Sequence, residues 1–266
     1  MTSDLDPASL AATMLSALTT GTEIPCPSSQ NPSFDLNAAY EIEQAIVGLR
    51  RQEGRKTTGL KVGYANKAVW RVLKLETLVW AHMYDDTVHY APSGEAQLQL
   101  PFYHAIKIEP EIVFHLKHPI APRLDAAAAL QAVDWLALGF ELIHSPFPDW
   151  QFKPADFVAA AGLHVGLVIG EPRPLDSTNI PQLIEQLATC KVRVTRNGEF
   201  VEEGAGKNSL RSPALCLAEL ASATALEPGY LVSTGSLTAG HLVSRNETWS
   251  VEADDLELSA LTLQLT

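Results

Sequence analysis

Glu109 and Glu111 stand one residue apart in Ile106-Lys107-Ile108-Glu109-Pro110-Glu111-Ile112-Val113-Phe114. On a strand, side chains alternate between faces, so Ile108, Pro110 and Ile112 point one way and both carboxylates the other. Two such groups repel each other unless water covers them or a cation sits between them. An exposed edge strand meets the first condition. Glu141 shifts the balance toward the second. It lies in Leu136-Ala137-Leu138-Gly139-Phe140-Glu141-Leu142-Ile143, a run apolar enough for a central strand, where a carboxylate is costly to bury without a partner. A lysine or arginine is one such partner. Convergence with Glu109 and Glu111 on a metal is the other solution. Three hard oxygen donors favour Mg2+ or Mn2+ over zinc, with positions left open for a chelating substrate.

Lys61, in Gly59-Leu60-Lys61-Val62-Gly63, sits between glycines that allow close backbone approach. Facing a pocket, it would bind a substrate carboxylate, stabilise an enolate or shift a proton. Facing outward, it would lay its stem along the surface with its head in water. His82, His144 and His164 lie within apolar stretches, each a pocket residue or a histidine hydrogen-bonded in the core. No pair of histidines has metal-ligand spacing. Gly204-Ala205-Gly206 lacks the rest of a nucleotide-binding signature. The serines form no Gly-x-Ser-x-Gly elbow, which argues against an ordinary serine hydrolase.

These residues need strands to place them. Asp6-Pro7 opens a helix with Leu10, Met14 and Leu18 on one face, ending near Gly21. Asp35 caps a second helix, whose apolar stripe is Ala39, Ile42, Ile46 and Leu49 and whose Glu41, Glu43 and Arg50 read as solvated. Beyond Gly54 the texture changes to short apolar runs separated by turn signals. Strands are expected over 57–63, 78–84, 106–115, 136–144, 164–170, 189–196, 230–235 and 256–264, with a hairpin turn at Asn197-Gly198. Helices are expected over 125–134 and 212–225. Many strands with few helices between them indicate an α+β or mainly β domain, not a doubly wound sheet. The expected division is an N-terminal helical region over 1–56 and a mixed β catalytic domain over 57–266.

Composition narrows the partners. Of the 266 residues 46% are hydrophobic, enough for one large core. With 19 basic and 31 acidic side chains the net charge is −12, which repels a nucleic-acid backbone. An anionic substrate must therefore meet a local positive centre such as a metal ion. No apolar run is long enough for a bilayer. The start Met1-Thr2-Ser3-Asp4-Leu5-Asp6 lacks the character of a secretory signal, so a cytoplasmic location is the default. Cys26, Cys190 and Cys216 are too widely spaced for a metal or redox motif and read as reduced thiols.

Taken in order, several motifs resemble the 2-hydroxypenta-2,4-dienoate hydratase and 4-oxalocrotonate decarboxylase family, within the fumarylacetoacetate hydrolase superfamily. They are Gly59-Leu60-Lys61-Val62-Gly63, Lys107-Ile108-Glu109-Pro110-Glu111-Ile112, Phe140-Glu141-Leu142-Ile143-His144-Ser145, Asp149-Trp150, Glu203-Gly204-Ala205-Gly206 and Thr234-Gly235-Ser236-Leu237-Thr238-Ala239. The resemblance implies a fumarylacetoacetate-hydrolase-like mixed β-roll core. It implies a Mg2+ or Mn2+ site at Glu109, Glu111 and Glu141, and catalytic residues Lys61, His82 and Asp86. Asp156, His164, Thr234 and Gly235 would then bind substrate. It also implies homo-oligomers and a lyase of aromatic meta-cleavage catabolism acting on a small unsaturated 2-oxo acid. Gly59-Leu60-Lys61, Glu203-Gly204-Ala205-Gly206, the Thr234-Gly235 turn followed by Thr238-Ala239, and Val79, where hydratases commonly carry aspartate, resemble the decarboxylases; Asp149-Trp150 resembles the hydratases.

The chain also departs from that pattern. After Asp156 the family usually reads Ala-Asp-Asn-Ala-Ser, whereas this chain reads Ala159-Ala160-Ala161-Gly162-Leu163-His164. Ala81 replaces a common glycine beside His82, and the usual Gly-Leu-Gly is missing around Asp254-Asp255-Leu256. Fewer polar groups suit a bulkier or less polar substrate. Two other readings stay open: a superfamily carbon–carbon hydrolase with His82 or His164 as base, and a non-catalytic binding subunit.

Overall fold

The computed structural model describes residues 6–101 and 105–266; residues 1–5, on which the expected absence of a secretory signal rests, lie outside them. Three helices come first: α1 (Pro7–Thr20), α2 (Pro27–Gln30) and α3 (Leu36–Gln52). Asp6 caps α1 through the amides of Ala8 and Ser9, and Asp35 caps α3 through that of Ala38. The chain continues through β1 (Thr57–Gly63), α4 (Trp70–Leu73), β2 (Val79–Tyr84), β3 (Val88–Tyr90), β4 (Glu95–Leu98) and β5 (Ile106–Leu116). Next come α5 (Ala126–Gln131), β6 (Val133–His144), α6 (Pro154–Ala159), β7 (His164–Ile169), β8 (Arg173–Pro174) and α7 (Ile180–Thr189). The last third holds β9 (Lys191–Arg196), β10 (Glu199–Ala205), α8 (Pro213–Ala223), β11 (Leu231–Ser233), β12 (His241–Leu242), β13 (Thr248–Ala253) and β14 (Leu261–Leu265).

The strands form two mixed sheets. The larger runs β2-β1-β11-β5-β6-β7-β3, with β12 beside β5 and β8 beside β6; the smaller runs β10-β9-β13-β14-β4. In the larger sheet β2 and β3 occupy opposite ends of the path, yet only residues 85–87 separate them in sequence. The sheet must curl to bring its two ends within reach of that short turn, as in a β-roll. Its outer face bears Leu60, Val62, Ile108, Ile112, Phe114 and Phe140, in one buried cluster with Met14 of α1 and Ile42 of α3. Its inner face carries a smaller cluster that includes Met83, Val113, Ala137, Leu167 and Leu231. No described helix is long and apolar enough to cross a membrane.

Several expectations change in detail. Asn197 and Gly198 do join β9 to β10, both in the left-handed region (φ 54° and 81°). The helix expected over 125–134 ends at Gln131, because the chain must reach β6, where Val133 pairs with Leu116. The strand expected over 256–264 begins only at Leu261, after a turn with Asp255 at φ 65°. Unforeseen elements include α6, α7 and β13, the last a central strand paired with both β9 and β14. Glu43 and Arg50 are not on a solvated face. Glu43 is buried against His82, and Arg50 is bonded to Asp86.

Candidate metal centre and active site

Strand register brings the acidic residues together. In the antiparallel pair of β5 and β6, Glu109 lies opposite Glu141 and Glu111 opposite Gly139. Directly opposed side chains on one face have Cβ atoms about 5 Å apart, so the carboxylates must meet. One oxygen from each of Glu109, Glu111 and Glu141 lies within 4.8 Å of the other two. Lys61 enters from β1, level with Ser233 of β11. Its ammonium is 2.9 Å from Glu141 Oε2 and donates to the Gly162 carbonyl at 2.9 Å. Three carboxylates and one ammonium carry a formal charge of −2, which a divalent cation would neutralise.

Local hydrogen bonding divides the oxygens of the two fully buried carboxylates. Glu111 Oε2 accepts from the Ser233 hydroxyl and from the Gly235 amide at 2.9 Å. Glu141 Oε1 is bonded to His164 Nδ1 at 2.8 Å. Among the described residues, Glu111 Oε1 and Glu141 Oε2 are buried without a hydrogen-bond partner, although Glu141 Oε2 lies beside the Lys61 ammonium. Leaving the Glu111 oxygen bare is costly, and a hard cation would satisfy it and share the Glu141 oxygen with Lys61. The residues present therefore fit a divalent metal ion.

Electrostatics in the ion-free protein agree. Burial pushes Glu109 up to about 7, with Glu141 adding to it and Lys61 and Lys107 opposing. Burial, then the charge of Glu141, holds Glu111 well above the usual range. Burial would raise Glu141 too, but the Lys61 charge and the His164 hydrogen bond outweigh it and keep that carboxyl low. Burial disfavours the charged Lys61, yet Glu141, Glu109 and Glu111 together keep its ammonium above its ordinary value. Glu109 and Glu111 are thus both biased toward their protonated forms, and a bound cation would favour the ionised ones.

Beside this cluster opens a cavity of about 510 Å3, lined by Lys61 and Glu109 and walled by Tyr64, Trp150, Phe152 and Phe157. Tyr64, Trp150 and Leu163, all on its wall, have left-handed backbones (φ 55°, 56° and 61°). Such conformations cost energy and persist where the surroundings fix them. Gly162, at φ 64°, turns its carbonyl to Lys61.

The expected site residues divide into two groups. Lys61, Glu109, Glu111, Glu141, His164 and Gly235 come together, but His82, Asp86, Asp156 and Thr234 do not reach the carboxylates. Ala81 pairs with Lys61 across β1 and β2, so alternation sends His82 to the other face. There its Nδ1 is 2.7 Å from Glu43. Asp86 is held by Arg50 at 2.6 Å and Arg55 at 3.2 Å. Asp156 is buried and accepts from the Ser28 amide and hydroxyl and from the Lys153 amide, tying α2 to the start of α6. Its neighbour Phe157, not Asp156, faces the cavity. The Thr234 hydroxyl bonds to the Ile112 carbonyl and so secures β11 to β5. Sequence reasoning missed Ser233 and the Gly162 carbonyl; only the small-residue run Ser233-Thr234-Gly235 hinted at the first.

A model of the family described as "Fumarylacetoacetate (FAA) hydrolase C-terminal" matches residues 63–263. Among curated relatives, a 2-hydroxypent-2,4-dienoate hydratase of Pseudomonas putida is 32% identical, covering 71% of this chain and 83% of that protein. A 4-oxalocrotonate decarboxylase of a Pseudomonas species is 27% identical over 87% of each chain. In structure, the 4-oxalocrotonate decarboxylase of Pseudomonas putida G7, complexed with magnesium and adipate, superposes with a TM-score of 0.87. It is 24% identical and covers 98% of this chain and 97% of its own, so it bears on the fold. A fumarylpyruvate hydrolase from Pseudomonas aeruginosa in complex with Mn2+ and pyruvate reaches 0.60 at 18% identity, over 78% of this chain and 88% of that one. With a family match across most of its length and a site built for a divalent cation, the chain belongs to the fumarylacetoacetate hydrolase family, on the side of it populated by lyases.

Proposed function

We propose that the chain is a Mg2+- or Mn2+-dependent lyase of meta-cleavage catabolism that decarboxylates a small unsaturated 2-oxo acid, in the manner of 4-oxalocrotonate decarboxylase. The observation that carries this reading is the set of three carboxylates whose oxygens lie within 4.8 Å of one another, beside a buried lysine and an aromatic-walled cavity. Glu109, Glu111 and Glu141 would hold the cation, which when bound supplies a Lewis-acid centre for the carboxylate and keto oxygens of a 2-oxo acid. Lys61 borders both the cavity and Glu141, and is the group placed to hold or deliver a proton at the substrate. Trp150, Phe152 and Phe157 exclude water, and an apolar wall favours a step in which a departing carboxylate becomes uncharged CO2.

Lys107 supports a substrate with a second anionic group. It shares the carboxylate face of β5 and lines the cavity, and its ammonium lies 3.9 Å from the centre of the Trp150 ring. The hydratase reading stays beside this one because the 32% identical relative carries that name. A hydrolase using His82 or His164 as base is less well supported, since neither borders the carboxylate cavity. The resemblance also favours a homo-oligomer, which sedimentation would test.

The test follows each substrate's conjugated absorbance with Mg2+ or Mn2+, then with EDTA. Cation-dependent CO2 release is expected. Loss of the diene without CO2 would establish the hydratase instead, and turnover that survives EDTA would overturn the metal-dependent mechanism.

A further inference from the structure

We propose that His164 is a positioning residue for the cation: it clamps Glu141 so that a single oxygen of that carboxylate faces the site. This rests on the divalent-cation reading above and adds the device that orients one of its ligands. Glu141 is fully buried on β6, where a free carboxylate would be able to turn both oxygens toward Lys61. His164 prevents that. It opens β7 immediately after the left-handed residues Ala161, Gly162 and Leu163, and pairs with Ile143 at a register shift between β6 and β7. Irregular pairing of this kind re-aims a side chain. Here the ring turns to the carboxylate face, with Nδ1 2.8 Å from Glu141 Oε1. An ionised carboxylate only accepts, so Nδ1 carries the proton.

The ring is itself fixed. Its Nε2 lies 3.0 Å from Thr87 Oγ1, and Thr87 is tied at that hydroxyl to the Tyr84 carbonyl at 3.0 Å and the Tyr84 amide at 3.3 Å. Thr87 belongs to the short turn that joins β2 to β3. A chain of contacts thus runs from the closing seam of the roll, through the imidazole, to one oxygen of a metal ligand. Glu111 is handled in parallel: Ser233 and Gly235 occupy its Oε2 and, among the described residues, leave Oε1 without a hydrogen-bond partner. In each buried ligand the protein thus holds one oxygen by hydrogen bonding; the other faces the site, in Glu141 on the Lys61 side. The His164 ring also borders a second cavity of about 300 Å3, shared with His82 and Asp86, and so walls Glu141 off from it.

The test is Mn2+ titration calorimetry on the EDTA-stripped full chain, with thermal melts of each metal-free variant. Loss of an outer partner of a metal ligand typically weakens affinity 10- to 100-fold, so His164→Ala is expected to lose about that much. His164→Asn places an amide nitrogen where Nδ1 was and is expected to stay within a few-fold of wild type. His164→Gln, whose amide reaches toward Thr87 instead, is expected to bind as weakly as His164→Ala. A space-filling role predicts the reverse order, because glutamine is closer to histidine in size. Mn2+ affinity unchanged in His164→Ala, or restored by Gln and not by Asn, overturns the proposal. If His164→Ala does not fold, the Asn and Gln pair decides alone. A wild-type chain that binds no Mn2+ would sink the cation reading itself, a different failure.

Discussion

Glu111 carries two oxygens with different duties, Oε2 accepting from Ser233 and Gly235 while Oε1 has no hydrogen-bond partner among the described residues. Glu111→Gln separates these duties. The amide oxygen can keep both contacts, while the amide nitrogen puts donors where a cation needs an acceptor. We expect Mn2+ affinity to fall by at least about 100-fold, the upper end of what an outer partner costs, and turnover to vanish with it. The metal-free melting temperature should hold, because glutamine is the uncharged counterpart of a carboxyl that burial already biases toward its neutral form. Calorimetry and circular dichroism check both statements, and undiminished turnover would remove Glu111 from the ligand set. Glu109 gives the pH dependence. Its pKa of about 7 in the folded, ion-free protein exceeds the usual 4.5, so the folded state holds that proton more tightly than the unfolded chain does. The resulting stabilisation is complete below about 4.5 and disappears as the pH rises through about 7. A cation must displace the proton, so its own stabilising effect grows over the same interval. The rise in melting temperature on adding Mg2+ should be larger at about pH 8 than at about pH 6. An equal or smaller shift at the higher pH would contradict it.

At the scale of elements, the site depends on how closely β1 and β11 approach. A Cβ built on Gly59 would fall 1.9 Å from the Leu231 carbonyl oxygen, which is backbone and has nowhere to go. Gly59→Ala should therefore push β1 away from β11 and displace Lys61 from Ser233. We expect about 1–3 kcal/mol of lost stability by chemical denaturation, as for other overpacked sites, together with weaker cation binding. Wild-type values for both would show that the strands can separate at no cost. This pairing also marks the limit of what the chain discloses by itself. Alternation within β5 is a local property, so the shared face of Glu109 and Glu111 is legible from their spacing, as is the hairpin from Asn197-Gly198. The side to which His82 points is not. It follows from the register of Lys61 against Ala81, a relation between strands about 20 residues apart. Asp156 misled for a similar reason: its partner Ser28 lies in a helix 128 positions earlier. The strand β13 shows alternating Trp249 and Val251, but its place between β9 and β14 is fixed only by pairing.

At the scale of the molecule, the N-terminal helices and the roll have no separate cores. Met14 of α1 and Ile42 and Ile46 of α3 belong to the same buried cluster as Leu60, Phe114 and Phe140 of the larger sheet. Glu43 of α3 meets His82 of β2 at 2.7 Å, and Arg50 of α3 meets Asp86 in the turn after β2 at 2.6 Å. Helices that share both apolar and polar contacts with the sheet should unfold with it. The cation site tests this, because its ligands all lie in the roll and none in residues 7–52. Ligand binding to the native state alone stabilises by about 2.7 kcal/mol at one hundred times the dissociation constant. For a chain of this size that corresponds to a rise in melting temperature on the order of 5–10 °C. We expect one transition, shifted as a whole by Mg2+, with far-ultraviolet dichroism and tryptophan fluorescence moving together. The fluorescence reports mainly the two sheets, where Trp80, Trp135 and Trp249 reside, while the dichroism includes α1 and α3. Two transitions of which only one responds to the ion would show that the helices over residues 7–52 melt on their own. The shared cluster would then contribute too little to couple them to the roll.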